Sequence, residues 1–322
     1  MADVISFENA LKGSGEKPRS LLVANGFSIK YFHYGTLLDN SGLQNTDSLR
    51  RLFDEIKTKD FERVLRILKD AASVCRAYEW KEQTGLLAAD IPKLRDALVT
   101  AIRKTHPPHR DAIAAIIPPC VEFLEKFERI FTLNYDLLLN WVTLENGTFS
   151  DGFGLGKKSN GFIAPFTTGA KCSVFNLHGG LHLFRGSGDT LEKRIDEGNG
   201  VIDAISSTIK KGERLPLYVA EGTSEAKLFR IRNNAYLQHC YEHFEANTNT
   251  LFVYGHSADD NDAHILNAIF KSRIERVYFS VYPPSNDTNA IDGQLAKYKA
   301  RNGSKVEYAL FDARTASVWG AA

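Results

Sequence analysis

The sequence is poor in cysteine, and the four it has, Cys75, Cys120, Cys172 and Cys240, stand far apart. No pair has C-x-x-C spacing, which excludes a zinc ribbon and a redox dithiol. Few, scattered thiols fit a reducing compartment, so a cytoplasmic protein is expected. Net charge is nearly absent as well, +1 over 322 residues. No global field draws such a chain to nucleic acid or anionic lipid, so neither is an expected direct partner. Long apolar runs are missing, and nothing approaches the roughly 20 residues of a membrane span. The opening Met1 to Asn9 carries Asp3 and Glu8, so a signal peptide is not expected. Repeats, coiled-coil heptads and low-complexity segments are lacking too.

What is present is a globular composition, 43% apolar and 25% charged. Short apolar runs recur, most of them ending at a turn that opens a helical pattern. They are Leu21 to Ala24, Arg129 to Leu133, Ser173 to Leu177, Leu217 to Ala220, Leu251 to Tyr254, Val277 to Val281 and Val306 to Phe311. Continuous apolar runs alternating with helices predict buried parallel strands in a covered sheet. The expected fold class is therefore α/β, with an open, mostly parallel sheet of the Rossmann-like kind.

Between the first two runs the pattern changes period. Leu49, Leu52, Phe53 and Ile56 fall at i, i+3, i+4 and i+7, as do Phe61, Val64, Leu65 and Leu68, and the spacing predicts one-sided helices. Thr105-His106-Pro107-Pro108 ends one helix, and Pro118-Pro119 breaks the run again or opens the next. The expected organisation is an α/β domain of residues 1–46 and 128–322. Residues 47–127 are either a helical module set into it or a helical layer of one single domain. Gly152 to Gly169 is glycine-rich and predicts an irregular loop near the site; Gly186-Ser187-Gly188-Asp189 reads as a plain turn.

In an open parallel sheet, ligands bind beyond the carboxyl ends of the strands. Small and polar residues collect at those ends in this sequence. Asn25-Gly26-Phe27-Ser28 leaves the first strand. Its glycine admits either a pyrophosphate at a helix N-terminus or a tight turn capped by Ser28. It is not a G-x-G-x-x-G fingerprint, which argues against an ordinary hydride-transfer dehydrogenase. Thr132-Leu133-Asn134-Tyr135-Asp136 leaves the second run. Asp136 suits an N-cap, while Asn134 ends an apolar strand, where an amide is costly unless it is bonded. His178, before Gly179-Gly180, titrates near neutrality and suits a general base, with the glycines keeping the imidazole uncrowded. Gly255-His256-Ser257 ends a late strand, and Asp260 and Asp262 are expected to cap the helix after it. His239, Glu242 and His243 form H-x-x-E-H on a predicted helix. No third ligand accompanies them, so a polar helix face is the better reading and no metal is expected.

Taken in order, these motifs resemble the sirtuin (Sir2) superfamily. The glycine turn Asn25 to Ser28, the T-x-N-x-D of Thr132 to Asp136, Leu177-His178-Gly179 and the G-x-S of Gly255 to Ser257 follow one another as they do in that family. The variant is similar to the zinc-less, sirtuin-like proteins of bacterial anti-phage defence. The resemblance implies NAD as substrate, Asn134 and His178 as the catalytic pair, and Asn25, Gly26, Phe27, Ser28, Thr132, Asp136, Gly255, His256 and Ser257 as cofactor contacts. Two departures speak against acetyl-lysine chemistry: no four-cysteine module is present, and Lys30 to Gly35 does not match the family's Pro-Asp-Phe-Arg segment. The expected activity is NAD glycohydrolysis to nicotinamide and ADP-ribose, as the toxic effector of an abortive-infection system. Control by homo-oligomerisation or by a defence-system partner protein is expected from the same analogy, with residues 47–127 and the Gly152–Gly169 loop as candidate gates. The alternatives are a non-catalytic NAD or ADP-ribose sensor and a protein ADP-ribosyltransferase or deacylase.

Overall fold

The apolar runs form strands because β-branched and aromatic side chains stand well on a pleated surface that is covered on both sides. The computed structural model describes residues 3–33, 36–145, 147–153, 161–163, 173–186, 190–196, 198, 200–212, 214–219, 222–283 and 287–320. Cys172, Ser187 to Asp189, Ala220, Glu221 and most of the Gly152–Gly169 segment lie outside them.

In chain order, β1 (Val4–Ile5) and α1 (Phe7–Gly13) lead to β2 (Arg19–Val23) and the one-turn α2 (Asn25–Ser28). The helices α3 (Ser48–Glu55), α4 (Phe61–Ala77), α5 (Lys81–Thr105) and α6 (Ile117–Leu124) follow. Next come β3 (Arg129–Thr132), α7 (Leu138–Thr143), β4 (Gly161–Ile163), β5 (Val174–Asn176), β6 (Gly179–Arg185) and β7 (Thr190–Lys193). After them stand α8 (Val201–Lys211), β8 (Pro216–Tyr218), α9 (Ser224–Arg232), α10 (Ala235–Glu245) and β9 (Thr248–Tyr254). The chain closes with α11 (Ala263–Lys271), β10 (Arg273–Val281), α12 (Asp287–Arg301) and β11 (Glu307–Asp312).

A seven-stranded sheet runs in the order β1-β11-β10-β9-β2-β3-β5, and every neighbouring pair in it is parallel. From β2 the chain moves outward through β3 to β5, then returns to β9 on the other side of β2 and moves outward again. The strand order reverses between β2 and β9, where an open sheet forms its crevice. Residues alternate between two cores along each strand. Leu21 and Val23 face one with Ile130 and Phe252, whereas Leu22 faces the other with Phe131, Leu251 and Val253. The first core takes its cover from α1, α3 to α6 and α8; the second takes it from α9 to α12. The amphipathic helices of 47–127 thus share one core with the sheet, through Phe53, Phe61, Leu94 and Leu98. No described helix is long and apolar enough to cross a membrane.

Several expectations are corrected. Leu217 to Ala220 does not join the parallel sheet; its strand β8 pairs antiparallel with β6 in a separate four-stranded sheet of order β4-β7-β6-β8. An apolar run signals burial but not a partner. Inside the supposed irregular loop, Gly161–Ile163 forms β4 of that sheet. The predicted turn at Ser187 to Asp189 lies outside the described residues; on either side of it β6 and β7 pair antiparallel, and the Gly186 N–H donates to Thr190 O at 2.8 Å. Of the two readings of Pro118-Pro119, the one found is the opening of a helix: both prolines stand in the first turn of α6, as residues without an N–H can.

Candidate active site

The parallel register brings the ends of β2, β3, β5, β9 and β10 to one edge, and a cavity of about 730 Å³ opens there. Asn25, Gly26, Gly255, His256, Ser257 and His178 contribute to its wall. Tyr135, Tyr218 and Tyr254 add aromatic surface, and Lys59 and Lys227 add positive charge. A broader depression of about 1120 Å³ lies at the opposite edge, where Lys17 and Glu275 form an exposed ion pair. It carries no histidine and sits at the wrong ends of the strands, so the crevice is the candidate site.

The two glycines on the wall do not cradle a phosphate. A Cβ on Gly26 would stand 2.5 Å from Gly255 Cα, and Gly255 has φ +76°. The Gly26 N–H donates to Gly255 O at 2.8 Å, and the Gly255 N–H donates to the Ser280 hydroxyl at 2.9 Å. Both N–H groups are therefore occupied in holding the two turns together at the strand reversal. The turn α2 is also too short to build up a macrodipole. The expected pyrophosphate contact at Gly26 is corrected accordingly. Gly179 has a similar role: at φ +75° its Cβ would meet Leu217 O at 2.1 Å, so the glycine lets β6 lie against β8 and does not serve to clear space around His178.

Four expected contacts lie behind the wall instead of on it. Phe27, Ser28, Thr132 and Asp136 are all buried. Phe27 packs on Trp319, and Thr132 accepts the Asn134 N–H at 2.9 Å. Asp136 accepts the Leu138 N–H at 2.7 Å, the helix-start role the sequence suggested. Ser28 caps no helix among the described residues; its hydroxyl accepts from Asn134.

Asn134 lies two residues beyond β3, between the wall residues Leu133 and Tyr135. Its Nδ2 donates to Ala24 O at 3.1 Å and to Ser28 Oγ at 2.9 Å. A carbonyl can only accept, so the amide orientation is fixed. Oδ1 is left buried with no partner among the described residues. An acceptor stranded in this way costs about 1–3 kcal/mol until a donor reaches it.

His178 lies two residues beyond β5, the neighbour of β3, and lines the cavity. Burial pushes its pKa down to about 3; Asp262 opposes this shift, and His264 and Lys227 add to it. The imidazole is therefore neutral near pH 7. Its Nε2 lies 3.1 Å from His264 Nε2, and His264 Nδ1 lies 3.0 Å from Ser224 Oγ. His264 is held by burial at about 4. Asp262 was expected to cap α11, but its side chain makes no capping bond. It accepts from Lys227 Nζ at 2.8 Å and faces His256 Nε2 at 3.6 Å, too far for a hydrogen bond. Burial alone would raise its carboxyl pKa, but His256, His178 and Lys227 hold it well below the usual carboxylate range. Asp260 caps nothing either; it binds Tyr298 and Lys297. The His256 Nδ1 accepts the Ala258 N–H at 2.8 Å, so its proton sits on Nε2, toward Asp262.

The ligand atoms of His178, Asp262 and His264 lie within 4.8 Å of one another, a spacing that could hold a metal ion. The Lys227 ammonium already neutralises that carboxylate, and the two imidazoles already bond to each other, so the group is satisfied as a neutral cluster. His239 and His243 are half-buried, their rings 4.6 Å apart, with His243 4.8 Å from the Phe175 ring, so they form a helix face packed on β5. Sequence reasoning did not find His264, Ser224 and Lys227, whose roles depend on partners 35 to 86 residues away. Only the Asp262 and His264 spacing beside Gly255-His256-Ser257 hinted at them.

Fold and crevice together define a Rossmann-like α/β protein with an open cavity at the reversal of its strand order. Over residues 21–319 the sequence matches the family described as a domain of unknown function (DUF4917), and the chain belongs to that family. No curated protein matches it.

Proposed function

We propose that the crevice binds NAD and that the protein hydrolyses the nicotinamide–ribose bond, releasing nicotinamide and ADP-ribose. The observation that carries this reading is a pair of groups beyond the adjacent strands β3 and β5: an amide with an unpartnered buried acceptor, Asn134, and a neutral imidazole on the wall, His178. A water, small enough to pass behind the wall, supplies the donor that Asn134 Oδ1 lacks. The nicotinamide leaves as a neutral molecule from a cationic glycoside, so no general acid is required. His178 takes the proton from the attacking water or a ribose hydroxyl and returns it to solvent, so the net products are nicotinamide, ADP-ribose and a proton. Lys59 brings positive charge to the wall for the diphosphate, and Asn25 and Ser257 offer hydrogen bonds to it or to the riboses. The order of the motifs, which resembles the sirtuin-like defence proteins, supports the same substrate. An NAD hydrolase needs restraint in its host, and self-assembly or a partner protein is the proposed control.

Nicotinamide release by the purified chain, alone and with the product of a neighbouring gene, tests the reading. Loss of a general base costs about 10²- to 10⁴-fold, so a folded His178→Ala protein is expected to lose turnover while still binding NAD. Full activity in that variant overturns the assignment. Binding without turnover by the wild type in both settings makes the chain an NAD sensor, and label left on protein makes it an ADP-ribosyltransferase.

A further inference from the structure

His178 has two ring nitrogens, and only one of them is available to a ligand. Nε2 is engaged by His264 at 3.1 Å. The ring planes are only 20° apart, with centroids at 5.4 Å, so the two nitrogens meet end to end between the rings. His178 lines the cavity, and with Nε2 taken by His264 the remaining nitrogen, Nδ1, is the one left for a ligand there.

We infer that His264, itself held by Ser224, is the positioning residue for His178: it accepts the Nε2–H and so leaves the lone pair of Nδ1 facing the crevice. The inference rests on the NAD-hydrolase reading, because a base must present a lone pair to the proton it takes. Once Nδ1 is the acceptor, Nε2 must carry the hydrogen and His264 Nε2 must receive it. His264 Nδ1 then bears its own hydrogen and donates to Ser224 Oγ at 3.0 Å. Ser224 Oγ also accepts the His264 backbone N–H at 2.6 Å, so it fixes the same residue through ring and backbone, and in this proton order its own hydrogen has no acceptor among the described residues. The Tyr241 hydroxyl donates to His264 O at 2.9 Å and secures the backbone from the other side. This is a base oriented by a hydrogen-bond acceptor that is in turn oriented by a third group. When a ribose hydroxyl or water gives its proton to Nδ1, His178 becomes an imidazolium. Its Nε2–H stays on His264, and the Asp262 carboxylate, which it shares with Lys227, favours the charged ring. Around the ring stand Asp262 and His264 at the start of α11, Lys227 of α9 and His256 beyond β9.

The opposite proton order has Ser224 O–H donating to His264 Nδ1 and His264 Nε2–H donating to His178. It would present an N–H to the crevice and make His178 a donor. Long-range ¹H–¹⁵N correlation spectra of the full chain with labelled histidine separate the two orders. The expected result is a pyridine-type Nδ1 and a pyrrole-type Nε2 on His178, assigned by the signals lost in His178→Gln. In His264→Leu the tautomer should become mixed, and kcat should fall on the order of 10²-fold with KM little changed. His264→Gln keeps a side-chain acceptor and should recover most of the loss. Ser224→Ala, which leaves the His264 ring in place, should shift the His178 tautomer in the same direction. A pyridine-type Nε2 on His178, an unchanged tautomer in His264→Leu, or one equivalent of zinc bound through both rings on titration overturns the inference. Lack of nicotinamide release by the wild type refutes the hydrolase reading instead, and the tautomer measurement still decides the role of His264.

Discussion

Replacing Gly26 with alanine adds a single methyl group where two turns touch. That carbon would lie 2.5 Å from Gly255 Cα and 3.2 Å from Gly255 O, and both contacts are backbone that cannot rotate away. Carbon atoms settle at about 3.5–4.0 Å, so the turns must separate by roughly 1 Å. Separation strains or breaks the Gly26 N–H bond to Gly255 O and the Ala24 N–H bond to Tyr254 O at 2.9 Å. Overpacking costs about 1–3 kcal/mol and a weakened hydrogen bond about 1 kcal/mol, giving about 2–4 kcal/mol. Gly255→Ala adds about 1–2 kcal/mol for a side chain at φ +76°. Gly85 in α5 and Gly293 in α12 provide the control, since a Cβ on either meets nothing within 4 Å. Alanine at those two positions should stabilise the protein by about 0.5–1 kcal/mol through helix propensity. Urea unfolding at neutral pH should lower the midpoint for Gly26→Ala and Gly255→Ala and raise it for the helix variants, with equal slopes throughout. A Gly26→Ala protein as stable as wild type would show that the two turns do not meet as described, and the closed wall of the crevice would be lost with them.

Two further outcomes follow from the buried charges. His178 and His264 stay neutral when folded, with pKa values pushed to about 3 and about 4, while the unfolded chain titrates them near an ordinary 6.5. The unfolded state therefore binds more protons below that pH, and stability falls on acidification by about 2 kcal/mol per histidine at pH 5. Denaturation midpoints that stay level from pH 7 to pH 5 would contradict this burial. Lys227→Met strands the Asp262 carboxylate and should cost about 3–5 kcal/mol. Adding Asp262→Asn should restore much of the loss, and additive effects in that double-mutant cycle would mean the pair is not coupled.

The parallel sheet was legible because its evidence is local. A strand buried on both faces must be apolar throughout, and Leu21 to Ala24, Arg129 to Leu133 and Leu251 to Tyr254 announce themselves that way. The crevice followed from the same runs, since a turn after a parallel strand has to emerge at the carboxyl edge. Asn25, Gly26, His178, Gly255 and Ser257 were placed there for that reason, and the cavity includes them. The second sheet was not legible: Gly161–Ile163, Thr190–Lys193 and Pro216–Tyr218 are too short to show a period, and pairing between strands leaves no mark on either sequence alone. Capping misled at Ser28 and Asp262, because a short polar side chain near a helix start can turn to a distant partner, Asn134 in one case and Lys227 in the other.

The chain's own order of residues therefore determined the α/β class, the helical stretch after the first strand and the edge at which chemistry gathers, all consequences of burial and backbone geometry over a few neighbours. Folding in three dimensions decided the rest. It turned Gly26 and Gly255 toward each other, moved Asn134 behind the wall, and joined His178 to His264 across 86 residues and His264 to Ser224 across 40. Hydrogen bonds and charge pairs act over a few ångströms of space with no regard for separation along the chain, so contacts of this kind exist only once the strands are set side by side.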